Sequence, residues 1–156
     1  MIIICRQLSD LEEVSIIMKD SNFQFVNPYL EEVNFSANPD FHLNTDAGEV
    51  EIRNNFEINI EREQDENRAK VELMLSINAE DEKAPFQLRI KIASDFMWEG
   101  LGEEAVKSML NLNAPALLLG YMRPIVANIT NSSIFPAYNI PFINFKESPS
   151  FEDNQE

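Results

Sequence analysis

The chain has 156 residues, 44% of them hydrophobic, and sets 27 acidic against 12 basic side chains for a net charge of −15. That length suits one domain with a single core, and the hydrophobic content is enough to offset the entropy lost on ordering the chain. Such acidity repels phosphate backbones and anionic lipid, so neither nucleic acid nor membrane insertion is expected.

A single cysteine, Cys5, and a single histidine, His42, exclude an internal disulfide and a histidine-based metal cluster. The opening MIIIC lacks the basic start and long apolar core of a secretory signal, and no run reaches bilayer-spanning length, which predicts a cytoplasmic protein. After Ile2, Ile3 and Ile4, Ser9 and Glu12 form a capping-box pattern, and Leu11, Val14, Ile17 and Met18 share one helical face. Residues 1–20 are therefore expected to be a strand and helix extension, with the helix over residues 10–19.

From residue 23 to 35 the odd positions Phe23, Phe25, Tyr29, Val33 and Phe35 are apolar, which predicts a long strand; Pro28 calls for a bulge or an edge position there. A loop rich in Pro, Asp, Asn and Gly follows. Three strands then show strict alternation: Val50, Ile52, Phe56, Ile58 and Ile60; Val71, Leu73, Leu75 and Ile77; Phe86, Leu88, Ile90 and Ile92. Short polar connections make neighbouring strands antiparallel. The expected fold is α+β: a four-stranded antiparallel meander with one wet and one dry face, the dry face covered by a short and a long C-terminal helix.

The short helix is predicted over residues 103–111. Asn113 is the expected N-cap of the long one, with Pro115 in its first turn and Pro124 kinking its interior. Leu118, Tyr121, Ile125 and Ile129 recur along it, and their nearly chargeless surroundings predict packing on the sheet on one side and on a partner subunit on the other. Residues 113–145 hold one charge, Arg123, and end in an extended segment crowded with aromatics and prolines. Residues 147–156 read as a disordered acidic tail.

Catalytic signals are missing. Four glycines build no phosphate loop, and the acids Glu51, Glu57 and Glu61 alternate on the wet side of a strand, where charge faces water. The chain reads as a binding protein, with no enzymatic activity, cofactor or metal expected.

Leu118, Tyr121, Arg123, Phe135, Pro136, Asn139, Ile140, Asn144 and Phe145 lie without a gap on the pattern of SecB, the export chaperone family that holds unfolded preproteins, which the chain resembles. The phrases NFQF and VNFSANP in residues 22–39 resemble the first SecB strand. The resemblance covers roughly residues 23–145 and implies a SecB-like domain over residues 21–146, assembled as a dimer of dimers. It implies an ATP-independent holdase with unfolded polypeptides as clients, held in apolar grooves lined by Phe96, Met97, Trp98 and Leu101 from a loop and Leu110, Tyr138, Ile140 and Phe142 opposite. It also implies that Glu31 and Glu32 belong to an acidic patch that recruits the motor SecA. Ser36 and Arg89 stand where the family carries acids, so SecA is left open as a partner. The alternatives are a dedicated chaperone of one partner, such as the antitoxin of a toxin–antitoxin pair, and a purely structural oligomeric subunit.

Overall fold

The computed structural model describes residues 2–5, 14–17, 19–42, 50–62 and 66–147. Strands β1 (Ile2–Cys5) and β2 (Val14–Ile17) pair antiparallel as a separate two-stranded ribbon. The helix expected over residues 10–19 is thus replaced by a strand across Val14–Ile17, where three of four residues are β-branched and stiff at χ1. Leu11, Met18 and, of the tail expected over residues 147–156, all but Glu147 lie outside the described residues; Glu147 ends a 3-10 turn.

The main sheet contains β3 (Phe23–Phe25), β4 (Tyr29–Ala37), β5 (Asn54–Arg62), β6 (Arg68–Ile77) and β7 (Phe86–Trp98). The single first strand expected from sequence is two strands. Pro28 falls in the break, and a second slip between Leu30 and Glu32 follows. Both pieces pair with β7. The order across the sheet is β4–β7–β6–β5, with β3 beside the other end of β7, so only β5 to β7 form the expected meander. The first strand crosses over to lie beside the last. The two slips displace one odd position: Tyr29 pairs with Ala93 and points to the wet face while Leu30 pairs with Ile92 on the dry one, whereas Phe23, Phe25, Val33 and Phe35 keep the dry face.

The dry rows of the two central strands are the core. Ala69, Val71, Leu73, Leu75 and Ile77 of β6 are fully buried, joined by Leu88, Ile90, Ile92 and Phe96 of β7. Burying one such leucine or isoleucine contributes about 1.5–3 kcal/mol. Over them lie α1 (Glu103–Ser108), a π-helical turn (Met109–Asn113) and α2 (Ala114–Asn131), which run on as one rod. The separate N-cap expected at Asn113 is not made: this residue is itself helical and its side chain caps nothing. Pro115 has no N–H to close the ordinary bond, so the turn before it widens.

Val106, Leu110, Ala114, Leu118, Met122, Val126 and Thr130 are all buried, one every four residues. A stripe of that period drifts around a helix of 3.6 residues per turn, and a π-helical turn, which holds more residues, takes up part of the drift. The helix continues past Pro124 to Asn131 because the carbonyl that Pro124 leaves unpaired belongs to the exposed Gly120, where water serves it. A strap, residues 132–144, begins in a turn at 132–134 and then descends over the sheet to a short 3-10 turn, Phe145–Glu147. Leu118→Ala is expected to lower stability by about 2–5 kcal/mol in urea unfolding, since it empties a fully enclosed site between helix and sheet.

Candidate functional site

The wet face is a net of ion pairs. Lys70 Nζ donates to Glu31 at 2.7 Å and to Glu72 at 2.6 Å, and Lys91 lies 3.8 Å from Glu31. Arg89 meets Glu32 at 3.1 Å, and Arg68 meets Asp95 at 3.0 Å. Glu72 also accepts from Asn59. The Lys70 pKa is raised, first by its bond to Glu31 and then by that to Glu72. The Glu72 carboxyl is held below its ordinary value, chiefly by the bond from Lys70. Glu31 and Glu32 are therefore already engaged by cations of their own subunit, and Arg89, not an acid, closes the contact.

The dry side carries two aromatic clusters. At the end of β7, Phe23 stacks on Phe96 (5.5 Å between centroids) and Trp98 (6.1 Å), and Phe25 reaches Phe96 and, edge-on, Tyr121 (each 6.3 Å). The Arg62 guanidinium lies 5.2 Å over the Trp98 ring and is paired with Glu103, so it caps the cluster. At the start of β7, Phe86 touches Phe35, Phe135 and Tyr138. Twelve residue steps separate Phe86 from Trp98 along the strand, roughly 40 Å at about 3.3 Å per residue.

That distance decides which predicted residues meet. Phe96, Met97 and Trp98 belong to the central strand rather than to a loop; Ala93, apolar on the wet side, hides the continuing alternation Ile92, Ser94, Phe96, Trp98 from a sequence reading. Phe96 and Trp98 are buried, Met97 emerges on the wet face, and Leu101 is half-buried in the turn beyond. Leu110 sits in the buried stripe of the helical rod, and Tyr138 lies at the far end from Trp98. Ile140 is 5% exposed, whereas Phe142, two residues on, is 92% exposed. On α2, Leu118 is enclosed, Ile125 and Ile129 are half-covered, and Tyr121 is exposed beside Phe25.

Sequence reasoning did not single out the uncovered lane on the dry side, Phe25, Leu30 and Val33 beside Tyr121. α2 crosses β6 and β7, leaving the β3 and β4 edge open. It also missed Asn54 and Thr130. Asn54 Nδ2 donates to Tyr138 Oη at 2.7 Å, Thr130 Oγ1 accepts from the Tyr138 backbone N–H at 2.8 Å, and Asn54 Oδ1 is buried without a partner among the described residues. A polar residue in phase with an apolar row, as Asn54 is with Phe56 and Ile58, was the available signal.

The family described as preprotein translocase subunit SecB matches residues 15–153. This chain belongs to the SecB family. It is 32% identical over 119 residues to the protein-export protein SecB of Cellvibrio japonicus, a match covering 75% of this chain and 70% of that protein. It is 37% identical over 83 residues to SecB of Anaplasma phagocytophilum, covering 49% and 52%. Among solved structures, the Mycobacterium tuberculosis Rv1957 SecB-like chaperone, in complex with a ChAD peptide from the Rv1956 HigA1 antitoxin, shares the fold. That match has a TM-score of 0.62 at 14% identity and covers 78% of this chain and 91% of that one. Membership in the SecB family supports a chaperone role in protein export. No helix among the described residues is long and apolar enough to cross a membrane.

The Glu72 pair sets a pH dependence. A carboxyl whose folded pKa is depressed contributes stability that is present above its unfolded value, near pH 4, and is lost as pH falls through the folded pKa. The melting temperature is therefore expected to fall on acidification below about pH 4, with a shallower fall in Glu72→Gln.

Proposed function

We propose that this SecB-family chain is an ATP-independent holdase that takes non-native polypeptides on the apolar surface of its strap and the adjoining sheet. The observation that carries this reading is Phe142, a phenylalanine 92% exposed on a strap whose neighbours Ile140 and Phe145 are buried. Ile134, 69% exposed, stands at the strap's other end. Flat or flexible apolar side chains presented to water bind varied sequences with little geometric demand. The buried Phe96, Trp98 and Leu110 serve such a surface from below by holding the sheet and rod, while Leu101, Tyr138 and Ile140 line its margin.

Self-assembly has its own surface in this reading. The β3 and β4 edge, with Phe25, Leu30 and Val33 on its dry side, meets the outer face of α2, which carries Tyr121, Ile125 and Ile129, where Phe25 packs edge-on against Tyr121. A twofold contact there would cover both the open edge and the bare helix face, the first step towards a dimer of dimers. Docking of SecA on Glu31 and Glu32 would require displacing Lys70, Lys91 and Arg89, which argues against that patch as a motor site here.

Suppressed aggregation of a chemically denatured model protein, without nucleotide, is the expected activity. The double change Ile134→Ser with Phe142→Ser should weaken it by about fivefold while leaving the melting temperature nearly unchanged, because both side chains are on the surface. Undiminished suppression by that variant would sink the strap assignment, and recovery of one stoichiometric protein in a pull-down would favour a dedicated chaperone instead. Leu30→Asp with Tyr121→Asp is expected to shift the sedimentation coefficient to a smaller species, by placing like charges at the twofold contact.

A further inference from the structure

Arg123 is the one charged side chain between residues 113 and 145. It is half-buried on α2, and among the described residues no carboxylate meets it, in a chain with 27 acids. Its guanidinium turns to the strap. Nη2 donates to the carbonyl of Pro141 at 3.0 Å and Nε to that of Ile140 at 3.4 Å. A guanidinium is a rigid fork of donors, and hydrogen bonds from a charged donor are about twice as strong as neutral ones.

Little else of a polar kind holds the strap. From residue 134 to 144 it makes no backbone–backbone hydrogen bond among the described residues. Its other ties to the domain are the Tyr138 N–H to Thr130 and the Tyr138 hydroxyl with Asn54. The Asn54 tie is imperfect, since Oδ1 is buried and unpaired, and an orphaned acceptor favours any state in which water reaches it. The Arg123 fork grips the strap where it passes from the buried Ile140 to the exposed Phe142.

We propose that Arg123 is a positioning residue that latches the strap closed, and that release of this latch uncovers the seats of Tyr138, Ile140 and Ile143 for an extended non-native chain. The proposal rests on the holdase reading for its second half alone. In the closed state these three side chains occupy the apolar surface themselves, packed against the core. Client affinity is then the intrinsic affinity reduced by the fraction of molecules with the strap lifted. The latch sets that fraction from a residue that need not touch the client.

Two measurements on the full chain test this: hydrogen exchange of the strap at the Tyr138 amide, the strap N–H bonded to Thr130, and the affinity for a reduced, carboxymethylated and fluorescently labelled unfolded protein. In Arg123→Ala, strap exchange is expected to accelerate about tenfold while the buried amides of α2 keep their rates, and the dissociation constant should fall several-fold. Arg123→Lys keeps the charge but not the fork; it should lie between, and it serves as the probe should the alanine variant not fold. Unchanged strap exchange would overturn the latch. Faster exchange with unchanged affinity would overturn the gating. Absence of binding by the wild type would instead remove the holdase reading, and the gating with it, while the exchange arm still decides the latch.

Discussion

The contact on which the rest of the structure depends is the one between the dry rows of β6 and β7 and the buried stripe of the helical rod. Leu73, Leu75, Ile90 and Ile92 face Leu118, Met122 and Val126 with no polar atom to satisfy. Close packing of this kind fixes the rod's place over the two central strands. It thereby also decides what the rod cannot cover. One margin, along β3 and β4, keeps its apolar side chains in the open. The other, along β5, is covered by the strap, where Phe145 meets Phe56 edge-on at 6.4 Å.

The two faces of the sheet meet the chain's acidity in opposite ways. On the wet face, Lys70, Lys91, Arg89 and Arg68 each answer an acid, so a strongly acidic protein presents a locally balanced surface across β4, β6 and β7. Partly exposed pairs of this sort add little stability singly, and their larger effect is to lower the attraction for a basic partner. The dry side and α2 carry almost no charge, which leaves apolar burial as the force available for assembly and for clients.

In the proposed reading, function and stability use different parts of one apolar inventory. Phe96, Trp98 and Leu110 are enclosed and hold the scaffold, whereas Phe142 and Ile134 are presented to water on a strap with few polar ties. A segment so held opens at low free energy compared with the sheet beneath it. Arg123 stands at the junction of the two, anchored in the rod and bonded to the strap.

The strands from Asn54 to Arg62, Arg68 to Ile77 and Phe86 onward, their antiparallel sense, and the helical region after residue 102 were legible in the chain, because side chains alternate with period two on a sheet half-buried on one face. The family pattern around Leu118, Tyr121 and Arg123 was legible too, since it lies in a contiguous stretch. Local pattern could not show that β4 lies beside β7, that Phe96 and Trp98 belong to the central strand, or that Val14–Ile17 is a strand. Each depends on which remote segment supplies the partner backbone. Nor could it separate Ile140 from Phe142, two apolar residues of one strap. Their opposite exposure arises where the strap passes the Arg123 guanidinium, which meets the Ile140 and Pro141 carbonyls across 17 and 18 residues, a contact that exists only once the rod has been laid on the sheet.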